Sequence, residues 1–278
     1  MMLGSTPQYR LKDLFLIPMA GLANRMLAIA SAKRLCSMAH ARCNIAWEWG
    51  AYTDIFDDPS VRWVPHEELD VPDNSHFVRH LLLHEGGNCT NRRVPLSQHE
   101  SVVVMSWFIF NGAEEAPLAH EDDLDLAPWL PMPVPAVMQR VIRFRERHFS
   151  ERTVGIHVRR TDNLRAIEGS PDDLYFRLAD DLVADGYQVF LSTDNSATEM
   201  LFRTRYGDAV IQLPKNPDLV VRMPRPFRLE DTWDDLTDLW LLGSCAFVIG
   251  SAFSSFSKVA RMINGSARSQ LLGDPHRS

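Results

Sequence analysis

The chain of 278 residues contains few cysteines, and no two of them form a C-x-x-C pair. Cys36, Cys43, Cys89 and Cys245 lie in or beside apolar runs, which is typical of reduced core residues and not of a disulfide framework or a zinc site. The sequence also shows no secretory signal and no apolar run long enough to cross a membrane. These absences lead us to expect a cytoplasmic protein without a membrane span.

A surplus of positive charge is missing as well. The chain has 29 basic and 36 acidic residues, which gives a formal net charge of −7. A surface that binds nucleic acid must neutralise phosphates with Lys and Arg, so we expect no nucleic-acid partner. The G-x-G-x-x-G, Walker and G-x-S-x-G motifs are also absent from the sequence.

What the sequence does contain is an alternation of strand-like and helix-like segments. Residues 14–17 form an apolar run, and a glycine turn, a helix from Asn24 to Ala39 and a strand at 43–47 follow, with Asn24 as the predicted N-cap. A further strand is predicted from Ser101 to Phe110. The segment from Asp54 to Gln98 has no clear pattern.

Prolines crowd residues 127–136, where they exclude a helix interior and favour a semi-rigid spacer. The length of the chain and its 45% apolar content suffice for two cores. We therefore predict two domains, 1–135 and 136–278.

The second of these domains alternates regularly. The predicted strands are 153–158, 188–192, 209–213 and 246–249, and the predicted helices are 136–149, 172–185, 196–206, 232–244 and 254–263. Such alternation indicates a parallel sheet with right-handed crossovers, in which ligands bind at the carboxyl ends of the strands. Four places at predicted strand ends or helix starts are therefore candidate sites.

The first place is the run that ends the strand 153–158. It contains His157, Arg159, Arg160 and Asp162. An arginine at a strand end presents a planar fork of donors that suits the oxygens of a diphosphate. The alternative is a surface ion pair between Arg160 and Asp162 beside a core histidine.

The second and third places carry carboxylates. Asp194 ends the strand 188–192, where Thr193 or Asp194 could instead cap the next helix. Asp238 lies on the helix 232–244, which opens with a predicted capping box from Thr232 to Asp235. A carboxylate at Asp238 could accept two hydrogen bonds from a guanine edge, whereas adenine offers no matching pair of donors.

The fourth place is the turn after the strand 246–249. Gly250 breaks this strand, and the hydroxyls of Ser251, Ser254 and Ser255 follow at the start of a helix. Free backbone N–H groups at a helix start bind anions, although serines also cap helices without any ligand.

Two other patterns suggest a metal but have simpler explanations. Asp123 and Asp125 match the D-x-D string of metal-dependent glycosyltransferases, but no strong strand precedes them. His76, His80 and His84 recur at four-residue spacing, which is typical of one solvated face of a short helix. We expect no metal at either place.

Taken together, these segments resemble the superfamily of GDP-fucose-dependent fucosyltransferases, which includes the α1,6-, α1,2- and protein O-fucosyltransferases. The matching segments occur in the family's order, and they are 21–25, 157–162, 192–195, Asp238 and 250–255.

The resemblance implies an α/β type-B glycosyltransferase fold with two facing Rossmann-like domains, the second of which holds most of the donor. It implies that Arg159 neutralises the leaving β-phosphate and that His157 and Asp238 contact the guanosine. Ser254 or Ser255 would meet the diphosphate, and Asn24 and Arg25 would face the cleft from the first domain. The remaining candidates for donor binding or catalysis in these motifs are Arg160, Asp162 and Asp194.

The implied reaction is an inverting transfer of fucose from GDP-fucose to a hydroxyl of a glycan or another acceptor, without a metal or other cofactor. Some relatives place a basic carboxylate in the glycine-rich loop, and residues 20–24 contain none. Glu48, just after the second predicted strand, is our candidate base. The alternatives are a glycosyltransferase that uses another nucleotide sugar and a catalytically silent nucleotide-binding module.

Overall fold

The computed structural model describes residues 9–48, 50–80, 93–115, 124–214 and 229–273. The chain divides into two compact units, Met1–Met132 and Pro133–Ser278. The division lies in the proline-rich segment where the sequence analysis placed the junction between 135 and 136. None of the helices in the described residues has both the length and the apolar character that a membrane crossing requires.

The first unit is built on a parallel sheet. Its elements are β1 (Asp13–Pro18), α1 (Leu22–Ala39), β2 (Arg42–Trp47), β3 (Arg62–Pro65), β4 (His76–His80), β5 (Arg93–Val94), β6 (Ser101–Ser106) and β7 (Asn111–Gly112). The strand order in the described residues is β3-β2-β1-β6-β4, and β5 and β7 pair separately. β1, β2 and β6 are almost wholly buried, as is typical of parallel strands that are covered on both faces.

Helix α1 begins two residues earlier than the sequence predicted. Its N-cap is Gly21, in an extended conformation, and Asn24 lies in the first turn, so the prediction of Asn24 as N-cap is wrong. Ala20, just before the cap, has a φ of 67°, which lies in the left-handed region that side chains disfavour. This turn directs the chain from the end of β1 into the helix.

The second unit repeats the alternation of strands and helices. Its elements are α2 (Pro135–His148), β8 (Thr153–Val158), α3 (Leu164–Gly169), α4 (Asp172–Ala184), β9 (Gln188–Thr193), α5 (Ser196–Tyr206), β10 (Val210–Ile211), α6 (Leu229–Gly243), β11 (Val248–Ser251), α7 (Ser255–Asn264) and β12 (Gln270–Leu272). The sheet order is β10-β9-β8-β11-β12 in the described residues, and every pair is parallel. The predicted α/β class with parallel sheets is confirmed.

In the second unit, two glycines allow a strand to pack closely against a helix. A Cβ atom at Gly155 in β8 would lie 2.7 Å from Leu242 of α6, and one at Gly250 in β11 would lie 2.5 Å from Cβ of Ser257 in α7. Only glycine allows β8 and β11 to lie this close to α6 and α7. The end of β11 is thereby held against the first turn of α7.

The structure corrects several predicted elements. Helix α6 begins at Leu229, so Thr232 lies inside it and is buried, and the predicted capping box is wrong. The segment 54–98 supplies β3 and β4, which the sequence analysis left without order. The predicted strand 101–110 is shorter, because β6 ends at Ser106.

Candidate functional site

The carboxyl ends of three neighbouring strands bring the predicted polar residues of the second unit together. β9, β8 and β11 are adjacent and parallel in the sheet, so their ends lie side by side. β8 ends at Val158, β9 at Thr193 and β11 at Ser251. Three of the four candidate places therefore lie at one sheet edge, where α/β proteins bind ligands.

Arg159 follows directly after β8 and is held by two carboxylates. Its guanidinium lies 2.9 Å from the Asp194 carboxylate and also forms an ion pair with Asp162. The side chain is 30% exposed, so part of it is open to solvent. A cation that is both fixed and partly exposed is suited to contact an anionic ligand.

Arg160, the next residue, has a different set of partners. Its guanidinium donates to Asp172 at 2.6 and 2.8 Å and to the Ser170 carbonyl at 2.6 Å, and it lies 5.5 Å from the Tyr175 ring centroid. The ion pair that the sequence analysis weighed between Arg160 and Asp162 is wrong, because Asp162 pairs with Arg159. Arg160 joins the end of β8 to the start of α4.

Asp194 organises the loop after β8. Its carboxylate accepts hydrogen bonds from the Arg160 backbone N–H at 2.8 Å and from the Thr161 hydroxyl at 2.6 Å, besides its ion pair with Arg159. The expected alternative, a helix cap at Thr193 or Asp194, is wrong, because the side chain of Asn195 caps α5. Asp194 therefore holds the segment that carries both arginines.

Asp162 is anionic in this arrangement. Burial favours its neutral form, but the Arg159 charge, a backbone N–H and the Thr161 hydroxyl together outweigh burial and hold the pKa of Asp162 below its usual value. Arg159 is thus paired with an anionic Asp162.

His157 and Asp238 are both buried beneath the sheet edge. His157 is 3% exposed, and its Nδ1 lies 2.6 Å from the Ser257 hydroxyl in the first turn of α7. Asp238 is 1% exposed and accepts a hydrogen bond of 2.5 Å from Ser192 in β9. The contacts of both residues with the guanosine stay predictions.

The turn between β11 and α7 combines a strained residue with a helix start. Phe253 has a φ of 56° and is 45% exposed. Ser254 is the N-cap of α7 but makes no capping hydrogen bond with its side chain, and Ser255 is the first helical residue. The first N–H groups of a helix have no partner within the helix, so this turn is a candidate anion site beside Arg159. Ser251, the third predicted hydroxyl, is fully buried instead.

The candidates of the first unit lie where β1 and β2 end. Arg25 is 3% exposed, and its guanidinium donates to the carbonyls of Pro18 and Ala20 at 2.7 and 2.8 Å and to the Glu48 carboxylate. Burial lowers the pKa of Arg25 more than Glu48 raises it. Glu48 itself is 42% exposed, and Asn24 is half-buried.

The structure describes three residues of the two metal-like patterns, His76, His80 and Asp125. His76 and His80 lie on β4 and not on a helix, so the helical interpretation is wrong for them. Asp125 accepts a hydrogen bond from the Ala127 backbone N–H. His84 and Asp123 fall outside the described residues. Within the described part of the chain, no three His, Cys, Asp or Glu side chains are grouped so as to hold a metal ion.

Sequence reasoning missed the supporting residues of this site. Tyr175 of α4 is fully buried, and its hydroxyl lies 2.7 Å from that of Ser251. Asp172, which pairs with Arg160, is at the start of the same helix. The polar start of α4 after a strand was visible in the sequence, but its contacts depend on packing that only the structure shows.

Comparisons with known proteins give a match through structure and not through sequence. No protein-family model matches the chain, and no curated protein sequence matches it either. A search of solved structures finds NodZ α-1,6-fucosyltransferase soaked with GDP-fucose, at a TM-score of 0.59 and 19% identity, covering 91% of this chain and 93% of that one. The chain has the fold of fucosyltransferases such as NodZ.

Two further solved structures show the same likeness. Fucosyltransferase NodZ from Bradyrhizobium gives a TM-score of 0.56 at 20% identity and covers 90% of this chain and 93% of that one. A variant of FUT1 from Arabidopsis thaliana in complex with GDP gives 0.58 at 14% identity, with 92% of this chain and 69% of that one covered. The resemblance expected from the sequence is thus confirmed at the level of the fold.

Proposed function

We propose that this chain is an inverting, metal-independent glycosyltransferase that moves fucose from GDP-fucose to a hydroxyl of a glycan or another acceptor. One observation carries the proposal: a fixed and partly exposed Arg159 lies at the sheet edge beside the start of α7. Arg159 and this helix are connected through Ser251, the last residue of β11. The Arg159 backbone N–H donates a hydrogen bond of 2.9 Å to the Ser251 hydroxyl, and α7 begins four residues later, at Ser255. The solved structures with this fold include ones soaked with GDP-fucose or bound to GDP.

In the proposed reaction, the bond between C1 of fucose and the β-phosphate oxygen breaks as the acceptor oxygen bonds to C1 from the opposite face. The acceptor hydroxyl loses its proton to a base, and GDP leaves with the bonding electrons. Negative charge grows on the diphosphate during this step. Donors that are already fixed around that charge lower the barrier, because they need no reorganisation as the bond breaks.

The residues of the second unit would divide the work. Arg159 would contact the β-phosphate. The phosphate would replace the exposed Asp162 as one partner of the Arg159 guanidinium, while the ion pair with Asp194 would remain and keep the guanidinium oriented. The start of α7, with Ser254 and Ser255, would bind the other phosphate oxygens. Since Arg159 and these N–H groups supply the positive charge, the proposal requires no divalent cation.

The first unit would supply the acceptor side of the reaction, as the resemblance implies. Its candidate base is Glu48, at the carboxyl end of β2. We also propose a cytoplasmic location. In support, Cys36, Cys43 and Cys245 are free and buried, as expected in a reducing compartment.

The experiment that tests the proposal is turnover of GDP-fucose by the variant Arg159→Ala. Release of GDP with water as acceptor serves as the assay, so that no glycan need be identified. We expect the rate to fall about 10²–10³-fold, as is usual when one fixed donor to a developing charge is lost. The control is Arg177→Ala, which removes an exposed arginine paired with Asp173 on α4.

Normal turnover in Arg159→Ala would overturn the assignment. Binding of GDP without any turnover in the unmodified protein, even with a panel of glycan acceptors, would instead favour the silent nucleotide-binding module. If the protein turns over another nucleotide sugar in preference to GDP-fucose, the assignment as a glycosyltransferase stands and the assignment of fucose as the transferred sugar is wrong.

A further inference from the structure

A buried hydroxyl joins the ends of β8 and β11 beneath Arg159. The Oγ atom of Ser251 accepts a hydrogen bond of 2.9 Å from the Arg159 backbone N–H and donates one of 3.3 Å to the His157 carbonyl. Ser251 is fully buried. It is therefore closed to a ligand, whereas Ser254 farther along the same turn is 7% exposed and Ser255 is half-buried.

The third partner of Ser251 completes its hydrogen-bonding capacity. A serine hydroxyl has one proton to donate and two lone pairs to accept with. The proton goes to the His157 carbonyl and one lone pair takes the Arg159 N–H, so the Tyr175 hydroxyl, 2.7 Å away, donates to the remaining lone pair. Every hydrogen-bonding position of Ser251 is thus occupied by a group that is fixed in the fold.

Tyr175 links this hydroxyl to the second arginine. It is fully buried in α4, and the Arg160 guanidinium lies 5.5 Å from the centroid of its ring. Burial raises the pKa of Tyr175, so the hydroxyl keeps its proton. One side chain thereby supports the backbone of Arg159 and the side chain of Arg160.

We propose that Tyr175 and Ser251 are positioning residues that fix the direction of Arg159 toward the diphosphate. The inference rests on the proposed function, since it presumes that Arg159 binds the donor. The two hydroxyls touch no ligand themselves. They act by holding the peptide N–H of residue 159, from which the side chain extends, at a set distance from the end of β11.

The test is a double-mutant cycle on affinity for GDP, measured by calorimetry in the full chain. Ser251→Ala and Tyr175→Phe each remove one hydroxyl and little volume. We expect each to weaken GDP binding about five- to tenfold, and to have less than a twofold effect when Arg159 is already replaced by Ala. Loss of the effect in the Arg159→Ala background is expected only if the hydroxyls act through Arg159.

The matched control is Tyr206→Phe. Tyr206 also donates its hydroxyl inside the second unit, to the Phe176 carbonyl at 3.1 Å and to Asp180 at 2.9 Å, but it lies at the end of α5. We expect this variant to lose some thermal stability and to bind GDP like the unmodified chain.

Three outcomes overturn the inference. If Ser251→Ala and Tyr175→Phe bind GDP as tightly as the unmodified chain, the hydroxyls position nothing. If they weaken binding equally in both backgrounds, or no more than Tyr206→Phe does, their role is general stability. If Arg159→Ala itself binds GDP normally, the proposed function is wrong as well. The first two outcomes contradict only the inference about Tyr175 and Ser251.

Discussion

At the scale of single residues, Arg25 shows how burial limits what a charged side chain can do. The sequence resemblance gives it a place facing the donor cleft. In the structure its guanidinium is occupied by the carbonyls of Pro18 and Ala20 and by Glu48, and its centre lies 5.4 Å from the Trp47 ring centroid. We therefore expect Arg25 to act by holding Glu48 and the turn before α1, and not by direct contact with a phosphate.

Glu48, the exposed partner of Arg25, is the residue to test. We predict that Glu48→Gln lowers turnover of GDP-fucose about 10²-fold or more while affinity for GDP stays unchanged, because an amide cannot accept the acceptor proton. Steady-state rates and calorimetry on the same preparation separate the two effects.

The control for this prediction is Glu100→Gln in the same unit. Glu100 is 48% exposed and pairs with Lys12, so it resembles Glu48 in exposure and charge environment. Turnover at the normal rate in Glu48→Gln would remove this residue as the base and leave it only as the partner of Arg25.

At the scale of elements, the junction of β11 and α7 determines where the candidate anion site lies. Gly250 is the residue that lets them approach, since an added Cβ would also meet the Ser257 hydroxyl at 2.7 Å and Leu271 at 2.9 Å. Ser257 in turn contacts His157. A shift of α7 away from β11 would therefore also stretch the contact between Ser257 and His157.

We predict that Gly250→Ala destabilises the chain by about 1–3 kcal/mol, the usual cost of forcing extra volume into a packed layer. Because α7 carries the N–H groups of the proposed anion site, we also expect weaker GDP binding in the fraction that remains folded. Urea unfolding and calorimetry measure the two effects. An unchanged unfolding midpoint in Gly250→Ala would contradict this prediction, because it would show that α7 moves to accommodate the added methyl group without a loss of stability.

Some strands of the fold could be predicted from the sequence and others could not. Strands such as β8 and β9 were predictable because a mainly apolar run is followed directly by charged residues. β3 and β4 were not, because their exposed and half-buried edge positions interrupt the apolar pattern. Three of the four candidate places could be found from strand ends, whereas the link through Tyr175 and Ser251 depends on residues 76 positions apart that only packing brings together.

At the scale of the whole molecule, a chain of net charge −7 places two adjacent arginines at one sheet edge. Arg159 and Arg160 pair with the carboxylates of Asp162, Asp172 and Asp194, so these five side chains carry one more negative than positive formal charge before a ligand binds. Under the proposed function, this setting favours a compact diphosphate over a long polyanion, because a long polyanion would also meet the carboxylates.

The measurement that tests the account most directly is calorimetric titration of the unmodified chain with GDP, UDP and ADP, each with and without EDTA. We predict that GDP binds selectively and that EDTA does not weaken it, since Arg159 and the start of α7 would supply the positive charge and Asp238 would recognise the guanine edge. Preferential binding of UDP or ADP, or loss of GDP binding in EDTA, would contradict the account.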